Sequence, residues 1–129
     1  MKVQMENEVV NILIADGNTI TRNCLRQTLE MEPRFRICSE AGNGLEALHL
    51  MREHKPHVAL IDARMERMDG FEVARLAKDE HLATRVLMFD LYAQTRAKAM
   101  SSGADAYLTK DSSCEVIRGM IYRLSQLQP

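Results

Sequence analysis

Short apolar blocks alternate along the chain with longer segments in which apolar residues recur every three or four positions. Five of the blocks predict buried β-strands, at Val9 to Ala15, Phe35 to Ser39, Val58 to Ile61, Val86 to Phe89 and Ala106 to Leu108. Because the blocks are almost continuously apolar, the strands are expected to be covered on both faces, which is typical of parallel sheets. The pattern predicts an α/β fold with a doubly wound, five-stranded parallel sheet between two helical layers.

The segments between the strands have the spacing of amphipathic helices. Their apolar positions are Ile20, Cys24, Leu25 and Leu29, then Leu45, Leu48 and Met51, then Phe71, Ala74 and Leu76. A fourth helix is predicted from about Ala93 to Ser102, with Gly103 placed to end it. A fifth is predicted to begin at Ser112, whose spacing to Glu115 matches a capping box.

Length and composition narrow the functional classes. The 129 residues suit one domain, with a polar extension over about 1–8 and the start of a linker at about 125–129. The formal net charge of -1 gives no reason to expect that the domain itself binds nucleic acid or an anionic membrane surface. Three cysteines, an odd number without regular spacing, are typical of a reduced cytoplasmic protein.

Polar residues follow four of the predicted strands. They are Asp16, Asp62, Asp90 and Lys110. Because ligands of open parallel sheets bind beyond the carboxyl ends of the strands, these side chains are expected to converge at one edge. Carboxylates there can bind a hard cation such as Mg²⁺, and the lysine can neutralise an anion. The structural alternative for any one of them is a solvated loop residue or a helix cap.

The segment from Val58 to Gly70, VALIDARMERMDG, resembles the phosphoacceptor segment of response-regulator receiver domains. The segments ILIAD, ending at Asp16, and GADAYLTK, ending at Lys110, extend the resemblance over nearly the whole chain. The resemblance implies the flavodoxin-like strand order 2-1-3-4-5 and a role in two-component, phosphorelay signal transduction. The chain resembles in particular the receivers of transcriptional regulators that carry a helix-turn-helix output domain.

Matched residue by residue, the resemblance implies a role for several side chains. Asp62 corresponds to the phosphoacceptor, while Asp16, Asp62 and the main-chain carbonyl of Arg64 correspond to Mg²⁺ ligands. Lys110 corresponds to the cation of the acidic cluster. Tyr107 corresponds to a switch aromatic, and its structural alternative is a packing tyrosine with its hydroxyl at the surface.

The resemblance also implies partners and a surface for them. It implies a histidine kinase or another signalling protein as partner, the ability to form a homodimer, and no enzymatic activity of the domain's own. A regulated surface is expected on the side of the fourth helix, fifth strand and fifth helix.

Four positions depart from the family pattern, and they cluster at the expected site. Gly17 replaces the second acid of the usual pair, Asp90 replaces a threonine or serine, Leu91 replaces a small residue, and Glu66 replaces a proline. Gly17 weakens metal binding, and a carboxylate at Asp90 opposes an added phosphoryl charge. Asp90 is expected to pair with Lys110 across the pocket, and Leu91 is expected to obstruct the approach to Asp62.

Several functional hypotheses follow. The first is a degenerate receiver that binds other proteins without phosphorylation, and the second is a receiver that is phosphorylated on Asp62 with Mg²⁺. From another class, the segment from Asp16 to Thr19 superficially resembles the loop of aspartate-nucleophile phosphatases, but Asn18 cannot supply their second carboxylate. A flavodoxin-like mononucleotide-binding protein would need a phosphate loop richer in glycine and hydroxyl groups.

Overall fold

The computed structural model describes residues 8–127 and shows five parallel strands alternating with five helices. The strands are β1 (Val10–Ala15), β2 (Phe35–Ala41), β3 (Val58–Asp62), β4 (Arg85–Asp90) and β5 (Ala106–Thr109). The helices are α1 (Thr19–Glu30), α2 (Gly44–His54), α3 (Gly70–Asp79), α4 (Arg96–Ser102) and α5 (Cys114–Ser125). The strand order is β2-β1-β3-β4-β5, which confirms the predicted doubly wound, flavodoxin-like architecture.

Alternate residues of the central strands supply two separate hydrophobic cores. On one face Leu13, Ile61 and Met88 pack in a cluster with residues of α2, α3 and α4. On the other face Ile14 and Leu60 pack in a cluster with residues of α1 and α5. Because side chains of successive strand residues point to opposite faces, this double burial explains the continuously apolar blocks in the sequence.

Polar side chains at the helix starts fix where the helices begin. Asn18, Asn43, Asp69 and Ser113 each accept a hydrogen bond from a backbone N–H of the first turn. The cap of α5 is therefore Ser113, which bonds to the N–H of Val116, and the predicted capping box from Ser112 to Glu115 is wrong by one residue. At the far end of α4, Gly103 has a φ of 114°, as expected of a helix-ending glycine.

Two predicted elements differ in detail. The segment predicted as a fourth helix from Ala93 is a single 3-10 turn (Ala93–Thr95) followed by the seven-residue α4. In α1 the buried residues are Leu25 and Leu29, whereas Ile20 is 73% exposed and Cys24 is exposed. The apolar face of α1 is thus narrower than its sequence spacing indicates.

The ends of the chain are only partly described. The predicted N-terminal extension over about 1–8 lies outside the described residues except for Glu8, and the predicted linker start includes 128–129, which lie outside them as well. None of the helices between residues 8 and 127 is long and apolar enough to cross a membrane.

Candidate functional site

The carboxyl edge of the sheet brings together a lysine and two buried carboxylates. Asp16 directly follows β1, Asp62 is the last residue of β3, and Lys110 directly follows β5. The Lys110 Nζ lies 3.1 Å from Asp16 Oδ2 and 3.3 Å from Asp62 Oδ2. With exposures of 1% for Asp16 and 5% for Asp62, the two carboxylates lie at the bottom of an open cleft. One cation therefore bridges both acids.

Backbone contacts hold these carboxylates in place. Asp16 Oδ1 accepts a hydrogen bond of 2.8 Å from the N–H of Asn18, and Asp62 Oδ1 accepts one of 3.2 Å from the N–H of Arg64. The main-chain carbonyl of Asp16 accepts a hydrogen bond of 2.6 Å from Arg22 Nη1. These hydrogen bonds therefore fix the β1–α1 and β3–α3 loops relative to Asp16 and Asp62.

Burial and charge shift the pKa values of this cluster. Burial, together with the nearby charge of Asp16, raises the pKa of Asp62 above its ordinary value, although the Arg64 N–H and Lys110 oppose the shift. Burial alone would lower the pKa of Lys110, but the hydrogen bond to Asp16 and the charge of Asp62 raise it. Lys110 thus remains a cation at neutral pH, while ionised Asp62 is disfavoured by folding.

Replacing Asp62 with asparagine is therefore expected to stabilise the fold at pH 7. A carboxyl group whose pKa is raised by folding contributes stability below its unfolded pKa, and that contribution is lost as the pH rises through the folded value. The stability gain of Asp62→Asn should therefore shrink below about pH 4, where aspartate is protonated in both states. Urea unfolding at several pH values measures this difference. The exposed Asp79→Asn serves as control, and an Asp62→Asn variant less stable than the parent at pH 7 would contradict the argument.

Asp90 pairs with Arg64, so the predicted pair of Asp90 and Lys110 is wrong. Arg64 Nε lies 3.0 Å from Asp90 Oδ1, and Arg64 Nη2 lies 3.0 Å from Asp90 Oδ2, in a two-point contact. Lys110 meets Asp90 only through its backbone N–H, which donates to the Asp90 carbonyl at 2.8 Å. The side chain of Lys110 instead extends to the two carboxylates at the centre of the sheet, where it gains two partners.

The carboxylate of Asp90 is almost fully enclosed, with 1% exposure. Burial alone would raise its pKa, but hydrogen bonds from Arg64, the Leu91 N–H and the Thr95 hydroxyl outweigh burial and hold the pKa below the ordinary value. Asp90 is therefore ionised at neutral pH. The side chain of Arg64, which supplies the compensating charge, is 56% exposed.

Leu91 lies outside the cleft that contains Asp62. It is 63% exposed, and it is not among the residues that line the cleft, which include Gly17, Arg64, Met65, Glu66, Lys98 and Lys110. The predicted obstruction by Leu91 is therefore wrong. β4 ends at Asp90, so the leucine that follows belongs to the loop and turns towards solvent.

The oxygen ligands available for Mg²⁺ are few. Asp16, Asp62 and the carbonyl of Arg64 offer the hard oxygen ligands that Mg²⁺ prefers, and the open cleft has room for the water molecules that it retains. Between residues 8 and 127, however, no group of three or more His, Cys, Asp and Glu side chains could hold a metal ion. Gly17 contributes no side chain, and Lys110 already contacts the same two carboxylates. The oxygen ligands are of the type that Mg²⁺ prefers, but the negative charge available to bind it is low.

Tyr107 is buried, with 3% exposure. Its hydroxyl forms hydrogen bonds with the Thr95 hydroxyl and with the carbonyl oxygen of Tyr92. The alternative of a packing tyrosine whose hydroxyl lies at the surface is therefore wrong. The switch role remains a prediction.

Sequence reasoning missed three side chains near this site. They are the guanidinium of Arg64, the hydroxyl of Thr95 and the ammonium of Lys98, which lies 4.4 Å from the centre of the Phe71 ring. A signal for Arg64 was present, because β3 and β4 are adjacent and Arg64 lies two residues after the end of β3. An acid at the end of one strand that has no evident partner in the sequence favours pairing with a cation in the loop after the adjacent strand.

Comparison with known proteins identifies the family. Residues 12–122 match the model of the response regulator receiver domain. The chain belongs to this family. This receiver is 32% identical over 117 residues to a NarL transcriptional regulatory protein of Mycobacterium tuberculosis, a match covering 88% of the chain and 54% of that protein. It is 35% identical over 101 residues to the chemotaxis protein CheY of Halobacterium salinarum, covering 77% of the chain and 82% of that protein.

Solved structures agree with this assignment. The signal receiver domain of NarL from Mycobacterium tuberculosis superimposes with a TM-score of 0.90 at 30% identity, covering 94% of this chain and 99% of that one. The chain spans about half the length of the NarL proteins that it matches. These matches confirm a receiver domain of a two-component response regulator, related to receivers of transcription regulators. Receiver domains in general bind Mg²⁺ at the phosphorylation site and interact with histidine kinases and other signalling proteins.

Proposed function

We propose that this receiver acts by binding other proteins while Asp62 remains largely unphosphorylated. The observation that carries the proposal is the ion pair between Arg64 and Asp90. Where receivers usually have a hydroxyl group that donates to the phosphoryl group, this chain has a buried carboxylate, which can only accept. The phosphoryl group would therefore lose a hydrogen-bond donor at this position.

The ion pair also changes the electrostatic effect of Asp90 on a phosphoryl group. An isolated charge at about 4 Å from a phosphoryl charge would oppose it by about 4 kcal/mol at an effective dielectric constant near 20. Arg64 neutralises much of that field because it contacts both carboxylate oxygens of Asp90. A phosphoryl group that attracted Arg64 would, however, leave Asp90 buried without its cation, which is strongly unfavourable. The guanidinium closest to Asp90 is thus unavailable to stabilise a phosphoryl group.

The metal side of the cleft supports the same proposal. Mg²⁺ would be held by Asp16, Asp62 and the Arg64 carbonyl, and when bound it would neutralise oxygens of the transferring phosphoryl group. Without an acid at position 17, these residues would hold it with two carboxylates, both of which also contact Lys110. Mg²⁺ binding is therefore expected to be weak.

The alternative is a receiver that accepts a phosphoryl group on Asp62 from a histidine kinase with Mg²⁺. The specific observation in its favour is the contact between Lys110 and Asp62 at 3.3 Å in an open cleft. In either case we propose a cytoplasmic domain whose partner is a histidine kinase or another signalling protein, including a second copy of the chain. The surface of α4, β5 and α5 is the proposed contact face, and nucleic acid and membranes are not proposed as partners of this domain.

Incubation with Mg²⁺ and a small acyl phosphate, followed by intact mass spectrometry, tests the proposal. We expect the parent to show little phosphoryl adduct, because Asp90 binds the nearest guanidinium and Gly17 leaves the metal weakly held. Asp62→Asn is the control that identifies any adduct formed at other residues. Rapid and stoichiometric labelling of the parent that disappears in Asp62→Asn would establish the phosphorylated alternative instead.

A further inference from the structure

The carboxylate of Asp90 connects two loops at the edge of the sheet. Besides the two contacts from Arg64 in the β3–α3 loop, Asp90 Oδ1 accepts a hydrogen bond of 2.8 Å from the N–H of Leu91. Its Oδ2 lies 3.1 Å from the hydroxyl of Thr95, which ends the 3-10 turn before α4. Asp90 therefore joins the loop after the phosphoacceptor to the segment that leads into α4.

The contacts continue from Thr95 to β5. The Thr95 hydroxyl forms a hydrogen bond with the hydroxyl of Tyr107 and lies 2.8 Å from the carbonyl oxygen of Tyr92, and the Tyr107 hydroxyl bonds with that carbonyl as well. An ionised carboxylate and a carbonyl can only accept, whereas each hydroxyl has a single proton to donate. The two hydroxyl protons therefore satisfy only two of these contacts at a time: when Thr95 donates to Asp90, Tyr107 donates either to the Tyr92 carbonyl or to the Thr95 oxygen.

We infer that Arg64 is a positioning residue that holds Tyr107 in its buried arrangement through Asp90 and Thr95. Arg64 contacts both carboxylate oxygens of Asp90 and fixes the orientation of this side chain, and the same carboxylate contacts the hydroxyl of Thr95. Thr95 directly precedes α4 and in turn contacts the hydroxyl of Tyr107 in β5. Both elements belong to the proposed contact face of α4, β5 and α5, and their arrangement is thereby fixed without any modification of Asp62. The inference rests on the proposed function, because it gives an unphosphorylated domain one defined binding surface.

Removing the guanidinium should release this chain of contacts. Without Arg64, Asp90 would be a buried charge with no cation, so its side chain would turn towards solvent or towards another donor. Either response weakens its hold on Thr95, and Tyr107 would then populate a second environment. The side chain of Arg64 is more than half exposed, so its removal leaves the hydrophobic cores intact.

Fluorine NMR of the protein labelled with 3-fluorotyrosine tests the inference without Mg²⁺ or phosphodonor. The chain has three tyrosines, Tyr92, Tyr107 and Tyr122, whose signals are assigned by replacing each with phenylalanine. We expect one Tyr107 signal in the parent, shielded from a soluble paramagnetic agent. In Arg64→Gln we expect this signal to broaden or split and to become accessible to the agent. Arg64→Lys, which keeps the charge but not the two-point contact, should fall in between.

The matched control is Arg75→Gln, because Arg75 is another half-exposed arginine, in ion pairs with Glu72 and Asp79 on α3. It should leave the Tyr107 signal unchanged. Asp90→Asn gives a second route to the same release and should also alter the signal. If Tyr107 is unchanged in Arg64→Gln, or is altered equally by Arg75→Gln, the inference is overturned whatever the labelling of Asp62. If Tyr107 responds but the parent is labelled stoichiometrically, only the proposed function fails.

Discussion

A receiver that carries Gly17→Asp together with Asp90→Thr is expected to be phosphorylated on Asp62 at least about tenfold faster than the parent, which corresponds to lowering the barrier by about 1.4 kcal/mol. The aspartate restores a carboxylate ligand for Mg²⁺. The threonine restores a hydroxyl donor where the parent has an acceptor, and it releases Arg64 from its ion pair. Labelling by a small acyl phosphate with Mg²⁺, followed by intact mass spectrometry over time, gives the rate.

The structure has room for the first of these changes. A Cβ atom built at Gly17 lies 3.6 Å from the carbonyl oxygen of Gly42, an ordinary contact, and the backbone there does not require glycine. Gly17→Asp alone should therefore raise the affinity for Mg²⁺, measured by calorimetry. Gly119→Asp on the exposed side of α5 adds the same charge far from the cleft and is the matched control. If the double variant is labelled no faster than the parent, Arg64, Asp90 and Gly17 do not limit the chemistry.

The fold could be predicted because its determinants are local or periodic. Buried strands such as Val58–Asp62 are apolar on both sides, and Gly103 ends α4 as its sequence position suggests. The exact ends of the helices are harder to predict: Ser112 and Ser113 are both good caps, and it is Ser113 that bonds to the N–H of Val116. The exposure of Ile20 likewise depends on which neighbour covers the first turn of α1, and spacing within one helix does not contain that information.

The candidate site was predictable in position but not in pairing. Strand order places Asp16, Asp62, Asp90 and Lys110 at one edge, but it does not say in which direction a long side chain extends. Lys110 gains two carboxylates by reaching the centre of the sheet, and this leaves Asp90 to the arginine of the neighbouring loop. Which ion pairs form depends on competition among several partners at once. Considering the residues one at a time does not predict the result of that competition.

The start of α3, directly after the loop that carries Arg64, is expected to tolerate no side chain at Gly70. A Cβ atom there would overlap the carbonyl oxygen of Asp62 and lie 2.9 Å from the Cα of Ala63. Both are backbone atoms at the end of the central strand β3, so neither can move without disturbing the sheet. Gly44 is equally restricted, because its Cβ would overlap the carbonyl oxygen of Met68 at the other side of the loop.

We therefore expect Gly70→Ala to lower the free energy of unfolding by about 3 kcal/mol, the upper end of the usual range for overpacking, and Gly44→Ala to do the same. Urea unfolding followed by circular dichroism measures the loss. Gly119→Ala is the matched control, because nothing lies within 4 Å of its Cβ position, and in the middle of α5 it should stabilise by about 0.5–1 kcal/mol. The same substitution should thus lower the free energy of unfolding at Gly70 and raise it at Gly119. Equal unfolding midpoints for Gly70→Ala and Gly119→Ala would show that the loop can shift away from β3, and the fixed approach of Arg64 to Asp90 would then lose its support.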